Sequence, residues 1–228
     1  GENFNCGYNQ LKSLKGCPEI VGRNFNCEHN KLTILDNCPK KIIGSFDCDN
    51  NYLISLKGCP KKVGGDFLCQ RNKLKTLEGC PEIINESFFC EKNELKSLKG
   101  CPEIVHGDFD CSFNELTSLE FSPKIKNKSF FCFFDKLKSL EGCPEIVKGD
   151  FYCNNNNLNI EGLKYLPKEI EFNISILNNE KLGDLQNIKN LNELKEKVNI
   201  YFEKEKLQKI INKKNVKSNK NKANINKI

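Results

Sequence analysis

The chain contains no tryptophan and no methionine, and only two histidines, His29 and His106. Only two arginines occur, Arg23 and Arg71. No stretch approaches the roughly 18 to 20 apolar residues that a membrane helix requires, so a membrane role is not expected. No charged-then-apolar signal segment opens the sequence. Gly1 stands where a methionine would, which points to a native start other than residue 1. No Cys-x-x-Cys pair and no Cys/His cluster of zinc spacing occurs, so no metal is expected and none of the cofactor motifs is present. Apolar content of 38% and charge of 29% belong to an ordinary folded, water-facing chain.

The formal charge of +6 is misleading as an average. Residues 1–172 carry 23 Lys/Arg against 24 Asp/Glu, whereas residues 173–228 carry 13 against 6. From Lys206 onward there are eight lysines and no acid. The basic character belongs to the C-terminal segment alone.

What the sequence does have is a repeat, and internal periodicity outranks every other signal for fold. Phe4, Phe25, Phe46, Phe67, Phe88, Phe109, Phe130 and Phe151 recur at 21-residue intervals. Two positions after each stands a cysteine, from Cys6 to Cys153. Three further on stand Asn9, Asn30, Asn51, Asn72, Asn93, Asn114, then Asp135, then Asn156. Two further again is a leucine, from Leu11 to Leu158, followed in most units by Leu-x-Gly-Cys-Pro and an aliphatic pair. Residues two apart point to one face of a strand, so Phe and Cys should share the core side. One strand per unit, stacked about 4.8 Å apart, makes a parallel sheet. The asparagine amides can satisfy backbone groups where the chain leaves each strand. Proline suits an extended, polyproline-like return on the convex side. Twenty-one residues leave no room there for a full helix.

The unit resembles the leucine-rich-repeat family, whose core reads L-x-x-L-x-L-x-x-N-x-L. Phe25-Asn26-Cys27 and Asn30-Lys31-Leu32 stand for its strand and asparagine, with Phe and Cys replacing two leucines. The unit length and the Pro-containing segment are most similar to the short repeats of bacterial effectors and to Cys-rich versions in large DNA viruses and phages. The resemblance implies a solenoid with a parallel sheet and says almost nothing of function, since this fold hosts many unrelated binders. Some such effectors carry a ubiquitin-ligase domain with a catalytic cysteine. Here the last cysteine is Cys153, inside the repeats, so that activity does not carry over.

The expected organisation is a solenoid over 1–182, a capping helix over 183–212 and a basic tail over 213–228. The solenoid comprises eight repeats, the eighth stretched to 23 residues (Asp150 to Phe172), and a degenerate ninth strand in which Ile174, Ile176 and Asn179 recover the Phe, Cys and Asn positions. Leu185, Ile188, Leu191, Leu194 and Val198 fall at helical spacing, with Asp184 placed to serve near the helix start. A helix there would close the apolar end of the solenoid.

The fourteen cysteines occupy two repeat positions, eight on the strand and six before proline. Both call for a small apolar side chain, which buried cysteine supplies. Core packing is therefore preferred over disulfides or metal, and free core thiols imply an intracellular, reducing compartment, whether cytoplasm or the interior of an infected or host cell. No enzyme reading gathers support. His29 at a strand end and His106 in a return lie in different repeats with no evident partner. Asp47, Asp49 and Asp110, read as solvent-facing, offer three carboxylates that can hold a cation, although a plain polar surface is the simpler reading.

Binding on a solenoid uses the outward strand positions of the concave face. Those between Phe and Cys run Asn5, Asn26, Asp47, Leu68, Phe89, Asp110, Phe131 and Tyr152. A second column runs from Gly7 through Glu28, Asp49, Gln70, Glu91, Ser112 and Phe133 to Asn154, and a third from Tyr8 to Asn155. The C-terminal half of this face gathers Phe89, Phe113, Phe131, Phe133, Phe134 and Tyr152, which mark it as the candidate site for a protein partner. Burial under the capping helix is the competing explanation. The tail lysines Lys206, Lys209, Lys213, Lys214, Lys217, Lys220 and Lys222 suggest the alternative, weak non-specific binding to phosphate backbones. Two functions follow as expectations: a non-enzymatic interaction scaffold, or a structural component of a virion or ribonucleoprotein tethered through its tail.

Overall fold

The computed structural model describes the backbone of residues 2–125 and 128–225, and the side chains of residues 2–124 and 128–213. Each repeat contributes one two-residue strand to a nine-stranded parallel sheet, from Phe4–Asn5 through Phe25–Asn26 and Phe151–Tyr152 to Ile174–Ser175. Pairing is in register, Phe to Phe, so equivalent residues form columns along the solenoid. On the convex side Ile20–Val21, Lys41–Ile42, Lys62–Val63, Ile83–Ile84, Ile104–Val105 and Lys124–Ile125 pair as a second parallel ribbon, and Ile146–Val147 pairs with Glu169–Ile170. The chain is a parallel β-solenoid with a helix at its C-terminal end.

The inward columns are dry. Every repeat phenylalanine from Phe25 to Phe151 is fully buried, as are Cys27, Cys48, Cys69, Cys90, Cys111, Cys132 and Cys153. Neighbouring phenylalanine rings lie 5.3 to 5.8 Å apart between centroids, a continuous stack down the core. The thiols point along the same axis: Cys48 Sγ donates to the Leu68 carbonyl at 3.3 Å and Cys90 Sγ to that of Asp110 at 3.3 Å. All fourteen cysteines are free. Burial raises the Cys48 and Cys90 thiols well above their ordinary range, which suits packing and not nucleophilic chemistry.

An asparagine ladder holds the strand ends. The Asn51 amide donates to the carbonyls of Cys27, Cys48 and Asp49 at 3.0, 3.3 and 3.1 Å, while its oxygen accepts Leu32 N–H at 3.0 Å. The pattern recurs at Asn30, Asn72, Asn93, Asn114, Asn156 and Asn179, so each amide ties three carbonyls across two rungs. Asp135 breaks it. One oxygen accepts Asn114 and Leu116 N–H at 3.1 and 3.0 Å, but the other is buried with no partner.

The return begins in a tight turn. Cys17 N–H donates to the Leu14 carbonyl at 3.0 Å with Gly16 at φ 94°, the type II arrangement that needs positive φ at its third residue. Phe121 occupies that glycine position in the sixth repeat, at φ 67°. Non-glycine residues pay for this conformation.

The C-terminal end differs from the expected helix over 183–212. Glu180–Asn187 is a 3-10 segment interrupted at Gly183 (φ 53°, ψ −131°), and the α-helix, α1, runs from Leu191 to Ile225. The cap is Asn190, whose Oδ1 accepts Glu193 N–H at 3.0 Å, rather than Asp184. Gly183 turns the chain off the helical path, and no proline or glycine between 191 and 225 stops α1 at 212. Leu182, Leu194 and Val198 are buried, and Lys164 Nζ lies 4.4 Å from the Phe202 ring centroid. Helix α1 meets the 3-10 segment Ile160–Tyr165 of the eighth repeat and so covers the end of the solenoid.

Candidate functional site

The first outward column emerges as expected, half-buried from Asn26 to Tyr152 between buried neighbours. Where this column holds Asn or Asp, the side chain closes a local turn. Asn5, Asn26, Asp47 and Asp110 each accept the N–H two residues on, at 2.8 to 3.0 Å. Phe89, Phe131 and Tyr152 forgo that bond and present a ring instead.

The second column is outward only in part. Asp49, Gln70 and Ser112 are buried, and Glu91 is only partly exposed. The reason is the residue that follows. Tyr8, His29, Asn50, Arg71, Lys92, Phe113, Phe134 and Asn155 all adopt φ between 49° and 57°. This left-handed step ends the strand after two residues and folds the second column down between rungs. Its members then lack partners: Asp49 Oδ1, Gln70 Oε1, Glu91 Oε2 and Asn154 Oδ1 are buried without one.

Electrostatics follow from that burial. Desolvation lifts the Asp47 carboxyl to about 6 and that of Glu91 to about 7. Burial likewise raises Asp49, opposed by Arg71, whose guanidinium Nη1 donates to Asp49 Oδ2 at 3.1 Å. The expectation that Asp47, Asp49 and Asp110 all face solvent does not hold, and the three are not placed to share a cation. Asp49 is buried, and Asp110 stands three rungs from Asp47, roughly 14 Å at the strand spacing.

Five of the six singled-out aromatics meet. Phe113 and Phe134 stack with centroids 4.5 Å apart and 9° between planes. Phe133 packs edge-on to Phe113 at 5.4 Å and to Phe134 at 6.1 Å. Phe131 joins Phe133 at 6.4 Å and Tyr152 at 5.6 Å. Phe89 stands apart, separated from Phe131 by the Asp110 rung. Phe113 and Phe134 remain 37% and 48% exposed, so α1 does not bury the patch. Lys92 Nζ lies 5.4 Å from the Phe113 ring centroid at its N-terminal edge.

The two histidines are far from any shared chemistry: His29 sits in the left-handed column of the second rung and His106 in a convex return. Among the tail lysines, Lys206, Lys209 and Lys213 are exposed on α1, and Lys209 pairs with Glu205 at 3.1 Å. The side chains of Lys214, Lys217, Lys220 and Lys222 lie outside the described residues. Among the described residues, no helix is long and apolar enough to cross a membrane.

No family model matches the chain. No curated protein matches it either. Among solved structures it is similar to YopM from Yersinia enterocolitica WA-314, at 18% identity over 68% of this chain and 46% of that one, with a TM-score of 0.34. The chain thus spans less than half the length of that structure, and the solenoid assignment stands on strand register and the asparagine ladder.

Proposed function

We propose that this chain is a protein-interaction scaffold that holds its partner through the C-terminal half of the concave face. The observation that carries the reading is the contiguous cluster of Phe113, Phe131, Phe133, Phe134 and Tyr152, in contact with one another, with Phe113 and Phe134 exposed and the other three half-buried. Aromatic rings dominate interface hot spots, and isolated exposed apolar residues do not form such a network. The cluster also replaces residues that elsewhere in the column close a turn, so a local bond is forgone where the rings gather. A solenoid supplies an extended concave surface for binding, and no part of this reading calls on catalysis.

The experiment is affinity capture from the native cell extract with the wild-type chain and the double variant Phe131→Ala/Phe133→Ala as baits. A specific partner should be lost from the double variant, its affinity falling about thirtyfold or more. Circular dichroism should be unchanged, because neither ring belongs to the buried phenylalanine stack. An identical set of captured proteins for both baits would sink the proposal.

A further inference from the structure

One cluster on the second and third rungs has no part in the aromatic patch. Glu28 and Asp49 are equivalent residues of adjacent rungs, and His29 follows Glu28. Ligand-capable atoms of Glu28, His29 and Asp49 all lie within 4.8 Å of one another. Each of the three side chains is held by a neighbour that leaves one atom free. Asn26 Nδ2 donates to Glu28 Oε1 at 2.9 Å, leaving Oε2. Arg71 donates to Asp49 Oδ2 at 3.1 Å, leaving Oδ1 buried and without a partner on a side chain only 8% exposed.

The His29 ring is clamped by its faces. Tyr8 stacks on one side, with centroids 4.3 Å apart and planes 13° apart. The Asn50 amide nitrogen lies 2.9 Å from Nδ1 and 3.3 Å from Nε2, too even a split for an in-plane bond, so it sits over the ring. The imidazole lone pair is therefore unclaimed, and Nε2 lies 3.9 Å from Glu28 Oε2. Glu28, Asp47 and Asp49 bring three carboxyl groups to this corner, and the Arg71 guanidinium pairs with Asp49.

We propose that Glu28, His29 and Asp49 form a binding site for one divalent first-row transition-metal ion. One imidazole nitrogen and two carboxylate oxygens suit the manganese-to-zinc series better than calcium or magnesium, which favour all-oxygen sets. Bond lengths of about 2.0 to 2.2 Å would draw the three ligand atoms together by roughly 1 Å, with water completing the shell. The ion would sit on the acidic N-terminal half of the concave face, several rungs from the aromatic cluster. It would partner the orphaned Asp49 oxygen. Asn26 and Arg71 act as the outer contacts that orient the ligands.

The test is titration of the full, reduced chain with Co²⁺, followed by visible absorption and calorimetry. His29→Asn is the informative variant, because Asn50 and Asn155 already occupy this column at φ 51° and 54°, so the backbone is kept. Glu28→Gln serves as a second variant of unchanged shape should the first misfold by circular dichroism, and His106→Asn is the control. The wild type should bind one ion per chain with the weak visible bands of nitrogen and oxygen ligation. His29→Asn and Glu28→Gln should each weaken binding about tenfold or more, and His106→Asn should not. Absence of saturable binding, equal binding by both variants, or a spectrum dominated by thiolate-to-cobalt charge transfer would each overturn the proposal.

Discussion

Replacing Asp135 by asparagine should stabilise the solenoid, and by an amount that depends on pH. Asp135 is the one acid in a column of amides from Asn30 to Asn179. At the preceding rung the Asn114 amide donates to the carbonyls of Cys90, Cys111 and Ser112 at 3.2, 2.9 and 3.3 Å. A carboxylate at 135 cannot donate, so the equivalent carbonyls lose that donor and Oδ2 is left buried alone. Burial, opposed by the Leu116 and Asn114 N–H groups, lifts the carboxyl to about 7. The folded state therefore holds this proton more tightly than the unfolded chain does. Wild-type stability from this group is fully present below the ordinary carboxylate range near 4, and is lost as pH rises through about 7. The whole span corresponds to no more than about 4 kcal/mol, at about 1.4 kcal/mol per tenfold change in proton affinity. Restored amide bonds at about 1 kcal/mol each point to the same scale. Asp135→Asn should gain about 2 to 3 kcal/mol at pH 8, read as a thermal midpoint raised by roughly 5 to 10 °C. At pH 4.5 the gain should shrink to within about 1 kcal/mol, because the protonated acid can donate one bond of its own. Urea midpoints for both proteins at the two pH values measure this directly. A gain equal at both, or a loss at pH 8, would refute the reasoning.

Three further outcomes are expected. Phe121→Gly should raise stability by about 1 kcal/mol, because Phe121 holds φ 67° and is 53% exposed, so strain is relieved and little packing is lost. The thermal midpoint reads it, and a lower midpoint would mean that the Phe121 ring packs productively. Cys90→Asp should cost several kcal/mol, since it sets an unpaired charge in a fully buried column; a mild effect in urea unfolding would put the strand phase in doubt. Thiol titration in denaturant without reductant should recover all fourteen cysteines, and four or more missing thiols would contradict the free-thiol core.

Much of this architecture was legible because a solenoid repeats its own instructions. Phe and Cys two residues apart fix the inward face, and the 21-residue interval fixes register, so the nine-stranded sheet and its buried columns follow from spacing alone. The aromatic columns were readable for the same reason: Phe113 and Phe134 occupy one repeat position, and equivalent positions on adjacent rungs must touch. What spacing does not encode is where a strand stops. Alternation places Asp49, Gln70 and Glu91 on the outward face, but the left-handed residues that follow end each strand after two positions and turn those side chains inward. Nothing in Tyr, His, Arg, Lys or Phe at that site announces positive φ, a conformation that glycine and asparagine adopt most readily. The start of α1 is hidden in the sequence by a related cause. Leu185 and Ile188 keep helical spacing, yet Gly183 and Asn190 decide the backbone, and apolar period is blind to both.

The same left-handed column connects the two halves of the concave face. Because every rung takes that step, its side chains project side by side and must pair with the rung above or below. Tyr8 of the first rung stacks on His29 of the second, Arg71 of the fourth reaches back to Asp49, and Phe134 of the seventh stacks on Phe113. One backbone geometry thus displays a ring-clamped imidazole beside two carboxylates at one end and a stacked aromatic surface at the other. The backbone is common to all rungs, at φ between 49° and 57°, and residues as different as Tyr, Arg, Phe and Asn already occupy it. It follows that exchanges within the column, such as Phe134→Asn, should leave folding intact, as Asn50 and Asn155 already show the residue to be compatible at φ 51° and 54°. Partner binding should nonetheless fall, because the ring stacked on Phe113 is removed. A Phe134→Asn chain whose thermal midpoint drops by more than a few degrees would mean that this column carries stability as well as display, and that fold and site are not separable there.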